Sequence, residues 1–211
     1  MTVGGSAGAA APEPLEPVLE QARELGFLGP GPIESHIAHS RGFASTQERT
    51  PESFLDLGSG GGVPGLVLAL EWPEARGVLL DAMVRRTEFL RAACVRLGIA
   101  ERVMVVCGRA EDGARDPVLR GQFDVVTARS FGPPAVTAEC GGGFVRVGGY
   151  LVVSEPPDDR EDRWSEPGLA ELGLERVDAR SRRFALLRRV RPLGDRYPRR
   201  VGVPTKRPLW R

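Results

Sequence analysis

The stretch Ser53-Phe-Leu-Asp-Leu57-Gly58-Ser-Gly-Gly-Gly62-Val-Pro64-Gly-Leu66 decides how the rest of the chain is read. A short apolar run ends abruptly in glycines, and an apolar segment (Leu66, Val67, Leu68, Leu70) follows with a proline at its start. That is the pattern of a buried strand, a tight turn and a helix with Pro in its first turn. Downstream the pattern repeats. Gly77–Asp81 is predicted as a strand and Val84–Leu97 as a helix stopped by Gly98. Further strands are predicted at Arg102–Cys107, Phe123–Ala128 and Gly149–Ser154, with a short helix over Pro134–Cys140. Glu175–Asp178 and Arg183–Val190 complete the set as two final strands. Near-continuous apolar strands alternating with helices predict a doubly wound α/β domain with a sheet covered on both faces, over residues 51–190. Upstream, helical spacing over Leu15–Leu25 and Ile33–Ala44 predicts a short helical extension within 15–50. Residues 1–14 are small and Pro-rich, too poor in apolar groups to offset ordering entropy, and are expected to be disordered.

A chain of 211 residues suits one domain with small appendages. Its 41% hydrophobic and 27% charged residues exclude collagen-like, coiled-coil and wholly disordered classes. No run of 18 apolar residues occurs, so no transmembrane helix is expected. Residues 1–17 carry neither the basic nor the apolar part of a secretory signal. Cys94, Cys107 and Cys140 are widely spaced and odd in number, which reads as three reduced core residues in a cytoplasmic protein. The net charge of +1 hides a division. Residues 180–211 hold 12 of the 29 basic residues and one acid, Asp195; residues 1–179 hold 17 basic against 27 acidic. An acidic body with a basic tail over 191–211 points to a polyanionic partner.

The glycine loop admits two cofactors. From Gly60, the segment Gly60-Gly-Gly62-Val-Pro-Gly65 satisfies the dinucleotide pattern G-x-G-x-x-G, with Asp81 about twenty residues further on. From Asp56, it reads D-x-G-x-G-x-G, which resembles motif I of the class I S-adenosylmethionine-dependent methyltransferases. A pyrophosphate needs free N–H groups at a helix N-terminus. Here Pro64 removes one and Asp56 brings a carboxylate toward the anion, whereas a sulfonium and an ammonium tolerate that acid. The methyltransferase reading is favoured, with Asp56 and Gly60 in the cofactor site and Asp81 accepting from both ribose hydroxyls.

Three further segments narrow the resemblance. Leu80-Asp81, Arg85-Arg86 and Phe89-Leu-Arg91 form one. Gly108-Arg-Ala-Glu111 with Thr127-Ala-Arg129-Ser-Phe131 forms the second, and Arg196-Tyr-Pro-Arg-Arg-Val-Gly-Val-Pro-Thr-Lys-Arg-Pro-Leu209 the third. With the loop, these resemble the bacterial 16S ribosomal RNA guanine-N7 methyltransferase family over most of residues 53–209. The resemblance implies a mostly parallel seven-stranded sheet of the class I methyltransferase type. It implies cofactor contacts from Gly58, Val63, Asp81, Ala82, Met83, Ala110, Glu111 and Arg129. The N-terminal quarter departs from the family: its N-L-T segment is missing, and Ser35-His36-Ile-Ala-His39-Ser40 stands where H-x-x-D-S is usual.

Methylation at N7 uses a lone pair that the neutral base already exposes, so catalysis by positioning is expected, with no indispensable general base and Arg129 the nearest candidate for a role at the transfer site. Ser154-Glu-Pro-Pro157 and Gly132-Pro-Pro134 lack the residues of an amino-methyltransferase motif and read as turns. Arg85, Arg86, Arg199, Arg200, Lys206 and Arg207 are the candidate RNA contacts, holding phosphate without reading sequence. Trp72, Trp164 and Trp210 read as packing residues, Trp210 with the option of stacking on a base. His36 and His39 share a helical face but have no third ligand, so no metal is expected. The expected partner is 16S ribosomal RNA or a small-subunit assembly intermediate, met by a monomer away from membranes. Two readings remain open beside this one: a small-molecule methyltransferase, and a non-catalytic RNA-binding protein with a vestigial loop.

Overall fold

The protein is described here by a computed structural model covering residues 12–156, 163–177 and 183–211. Helices α1 (Leu15–Glu24) and α2 (Ile33–Ala44) precede β1 (Ser53–Leu57), α3 (Gly65–Glu71), β2 (Arg76–Asp81), α4 (Val84–Arg96) and β3 (Val103–Cys107). Then come α5 (Ala110–Gly113), β4 (Phe123–Ala128), α6 (Pro134–Gly142), β5 (Val145–Ser154), α7 (Glu166–Glu171), β6 (Leu174–Val177), β7 (Phe184–Arg189) and α8 (Val203–Lys206). The seven strands form one sheet in the order β3-β2-β1-β4-β5-β7-β6. Pairing is parallel from β3 through β5, and β7 runs antiparallel to both β5 and β6.

Alternation along the strands explains the two layers. In β1, Phe54 joins the core formed with α1–α4, whereas Leu55 and Leu57 join the core that contains Phe144, Trp164 and Leu187. In β4, Val125 and Val126 divide the same way. Asp56 and Thr127 occupy the α3-side positions of these strands and are fully buried, a polar pair inside an apolar layer. The strand order reverses between β1 and β4, and in such sheets ligands bind outside the carboxyl ends of the strands at that point.

Several expectations need correction. The disorder expected over 1–14 does not extend to residues 12–14: the Glu13 amide donates to the Arg96 carbonyl at 2.8 Å, and its carboxylate pairs with the Arg96 guanidinium at 2.8 Å. Residues 1–11 lie outside the described residues. Strand β5 starts at Val145, four residues before Gly149; a register shift opposite Phe123 and Val125, with Gly148 at φ 86°, carries the strand through the two glycines. Cys94 and Cys140 are core residues, but Cys107 is exposed, because it ends an edge strand.

The largest correction concerns the tail, which folds back onto the domain. Tyr197 is buried, and Trp210 lies against Gly168 with its indole N–H donated to the Arg163 carbonyl at 3.0 Å. Trp210 is thus a packing residue on α7. Part of the charge of this region is interior: Arg189 is 2% exposed and donates to the Leu172 and Gly142 carbonyls, and burial lowers its pKa to about 10.

Candidate active site

The loop after β1 is laced to the end of β2. The amides of Gly58 and Ser59 both donate to the Leu80 carbonyl, at 2.8 and 3.0 Å. The Asp81 carboxylate accepts the Gly60 amide and the Met83 amide, each at 2.9 Å, and Arg86 lies 3.7 Å from it. Asp81 therefore fixes the loops on both sides of the β1–β2 seam. Gly58 sits at φ 72°, a conformation that favours glycine, and a Cβ there would meet the Phe131 ring at 3.0 Å.

Beyond these strand ends lies a cavity of about 70 Å³. Five of the residues expected at the cofactor line it: Gly58, Asp81, Ala82, Ala110 and Glu111. Leu80, Arg109 and Phe131 line it too, without having been singled out for it. The other five cofactor candidates lie outside its lining. Asp56 is beneath the loop, its carboxylate taken by the Gly65 amide at 3.0 Å and the Thr127 hydroxyl at 2.9 Å. Burial pushes the Asp56 pKa up to about 6, against the pull of these two bonds. It braces the loop from beneath and is not among the residues that line the cavity. Val63 is buried against the α3-side core, and Gly60 is held by Asp81. Met83 is 49% exposed at the rim. Arg129 follows β4, whose Ala128 pairs with Leu57, so it stands beside Gly58 past the ends of the paired strands.

Gly65 decides between the two cofactor readings. A Cβ there would lie 2.6 Å from Asp56 Oδ2, so only glycine lets the first amide of α3 reach that carboxylate. The helix end that would receive a pyrophosphate thus offers a proline and an amide already satisfied by an acid. A nicotinamide dinucleotide does not fit it. The carboxyl ends of β1, β2 and β3, with an acid at the end of β2 and a small-residue floor, fit a nucleoside carrying positive charge.

The RNA candidates divide. Arg85, Arg200, Lys206 and Arg207 are exposed. Arg86 is partly drawn to Asp81. Arg199 is taken inward: its guanidinium holds the Glu139 carboxylate at 2.7 Å, its own amide donates to the same group at 2.7 Å, and Glu139 is fully buried. Arg199 is a structural residue, which corrects its assignment to phosphate. Sequence reasoning missed the Gly202 amide, which donates to Glu111 at 2.9 Å. No local pattern announces a bond between residues ninety positions apart.

Among the described residues no group of three His, Cys, Asp or Glu side chains is placed to hold a metal. His36 is fully engaged, with Nε2 at 3.2 Å from the Gly29 carbonyl and Nδ1 at 2.7 Å from Arg129 Nη2. His39 packs its ring on Phe43 and Phe184. A larger groove of about 810 Å³ lies at the opposite, amino ends of β1 and β4, but its Asp124 carboxylate is already satisfied by Ser53 and Arg146.

Residues 32–161 match the family model described as rRNA small subunit methyltransferase G. The chain belongs to that family. Two curated members named ribosomal RNA small subunit methyltransferase G illustrate the distance. The protein of Syntrophomonas wolfei is 34% identical over 189 residues, covering 85% of this chain and 87% of its own. That of Fervidobacterium nodosum is 34% identical over 166 residues, covering 75% and 77%. Solved structures agree on the fold. Cofactor-bound Rv0187 from MTB superposes with a TM-score of 0.56 at 22% identity, over 82% of this chain and 89% of that one. The mitomycin 7-O-methyltransferase MmcR gives 0.59 at 16%, over 81% and 58%. A methyltransferase of the rRNA small subunit methyltransferase G family uses S-adenosylmethionine, and the cavity at the ends of β1–β3 is the candidate place for it.

Proposed function

We propose that the protein transfers the methyl group of S-adenosylmethionine to N7 of a guanine in 16S ribosomal RNA, on the free RNA or a small-subunit assembly intermediate, as a cytoplasmic monomer. Family membership over residues 32–161 carries this reading, and the site supports it. S-adenosylmethionine brings a methyl already activated by a sulfonium, and guanine N7 exposes its lone pair without losing a proton. The chain is left to bind and align. Asp81 accepts from the ribose hydroxyls, Ala110 and Glu111 flank the adenine, and Gly58 leaves room for the chain that joins them. Arg129, at the seam of β1 and β4, stands nearest the transferring methyl. Arg85, Arg86, Arg200, Lys206 and Arg207 hold phosphates around the mouth. Among the described residues no helix is long and apolar enough to cross a membrane.

The test is to map N7-methylguanosine in 16S ribosomal RNA from cells with and without the protein. Loss of one modified guanine in the deletion strain, restored by the wild-type gene, is expected. Identical methylation in both strains defeats the proposal.

A further inference from the structure

Arg129 connects the N-terminal extension to the site through one side chain. Its Nη2 lies 2.7 Å from His36 Nδ1. A guanidinium only donates, so Nδ1 must be the unprotonated, accepting nitrogen. The proton of the neutral ring then sits on Nε2, where the Gly29 carbonyl accepts it at 3.2 Å. The two partners select the same tautomer from opposite sides of the ring. His36 is 6% exposed, on α2, and Gly29 lies in the turn between α1 and α2. Meanwhile Arg129 Nη1 is buried and has no hydrogen-bond partner among the described residues. A buried, unsatisfied donor of a charged group costs more than an ordinary hydrogen bond gains, so the bond to His36 weighs the more in fixing where this guanidinium sits.

We propose that neutral His36 is a positioning residue for cofactor binding: its Nδ1 holds the Arg129 guanidinium by Nη2 and so fixes where that side chain stands beside Gly58 at the end of the β1–β4 seam. The inference rests on the methyltransferase reading and adds the residue that aims Arg129, together with a dependence on pH. Protonated His36 would set an Nδ1–H against the Arg129 N–H groups, two donors and two cations face to face. The charged and titratable groups around the ring all oppose that state. Arg129 faces it from the loop after β4, Arg23 from α1, and His39 from the next turn of α2, while Asp56 faces Arg129 from β1. Burial first, then the Arg129 charge, holds the His36 pKa below the usual histidine range.

The experiment is calorimetric titration of the full chain with S-adenosylmethionine and with its demethylated product from pH 5 to 8, for wild type, His36→Phe and His36→Asn. Nitrogen NMR of the imidazole reads the tautomer, and thermal unfolding checks that each variant is folded. Asn is chosen because its Oδ1 stands close to the place of Nδ1 and accepts at every pH. Wild-type affinity is expected to be constant through the usual histidine range and to fall only at more acid pH, where the depressed His36 finally takes a proton. His36→Phe should bind about tenfold more weakly at pH 7.5, the loss of one aligned hydrogen bond. His36→Asn should recover most of that loss and show no weakening in acid. If His36→Phe fails to fold, His36→Asn and the NMR tautomer still decide the matter. Wild-type affinity in folded His36→Phe overturns the inference, as does a Nδ1–H tautomer, or an acid limb retained in His36→Asn, which would assign the titration to Asp56. Wild type that binds neither ligand at any pH overturns the methyltransferase reading itself.

Discussion

The Gly202 amide donates to the Glu111 carboxylate over 2.9 Å, and by that bond the C-terminal tail braces a side chain that lines the cavity at the ends of β1–β3. The tail is therefore part of the folded domain. It carries the buried Tyr197, and it supplies the Arg199 partner of the buried Glu139. Deleting residues 191–211 should lower the urea midpoint of unfolding and weaken S-adenosylmethionine binding in the absence of any RNA. Calorimetry and equilibrium denaturation on the truncated protein check both. A truncated protein with unchanged midpoint and cofactor affinity would return the tail to the status of a free arm.

Arg199 and Arg200 are adjacent in sequence and opposite in consequence. Arg199→Ala leaves a fully buried carboxylate without its cation, a loss of about 3–5 kcal/mol of stability. Arg200 is exposed, and Arg200→Ala should change stability by no more than about 0.5 kcal/mol. It should instead weaken RNA binding and reduce the slope of log affinity against log salt by about 1, the signature of one lost phosphate contact. Denaturation curves and a salt series on both variants separate the roles. Equal stability losses would contradict this division.

This pair also marks where the sequence stops being legible. The β1–loop–α3 stretch could be read because each local preference agrees with the fold: apolar strand, glycines, Pro64, apolar helix. Asp81 could be placed for the same reason, since pattern fixes the end of β2 and ligands bind at strand ends, whereas Glu111 was placed by the family resemblance. Position along a strand did not tell which face of the loop Asp56 serves. That depends on Gly65 approaching within contact of it, a tertiary fact. The tail misled for a physical reason as well. A run of arginines looks solvated until a buried acid such as Glu139, sixty residues away, is known to face one of them. The short helices α5, α7 and α8 hold four to six residues each, too few to display a period.

Asp81 joins structure and binding in one carboxylate. Asp81→Ala removes the acceptor for the Gly60 and Met83 amides and, in the proposed function, for the ribose, so cofactor affinity should fall by more than a hundredfold, at about 1.5–3 kcal/mol for each bond to a charged group. Asp81→Asn keeps one carbonyl oxygen for an amide and should lose less. A ranking with Asn as damaging as Ala would show that charge, not loop anchoring, dominates.

Asp56 gives a pH signature opposite in sign to that of His36. Its carboxyl is buried, and its pKa rises from the ordinary 3.8 to about 6 in the folded protein. The folded state then holds a proton that the unfolded chain has released, so this group's contribution to stability declines as pH rises from about 4 to about 6 and is constant above. Asp56→Asn removes the titration while a side-chain oxygen still accepts from the Gly65 amide. The stability of the variant relative to wild type should therefore climb across that window, by at most about 3 kcal/mol, and then level off. His36 runs the other way. Its depressed pKa makes it contribute stability above 6.5 that is lost as the pH falls, and His36→Asn should remove that loss. Urea denaturation of wild type and the two variants at half-unit steps from pH 4.5 to 7.5 resolves both curves. A flat difference for Asp56→Asn would mean that Gly65 and Thr127 hold the carboxylate charged throughout, and that burial beneath the loop does not govern its titration.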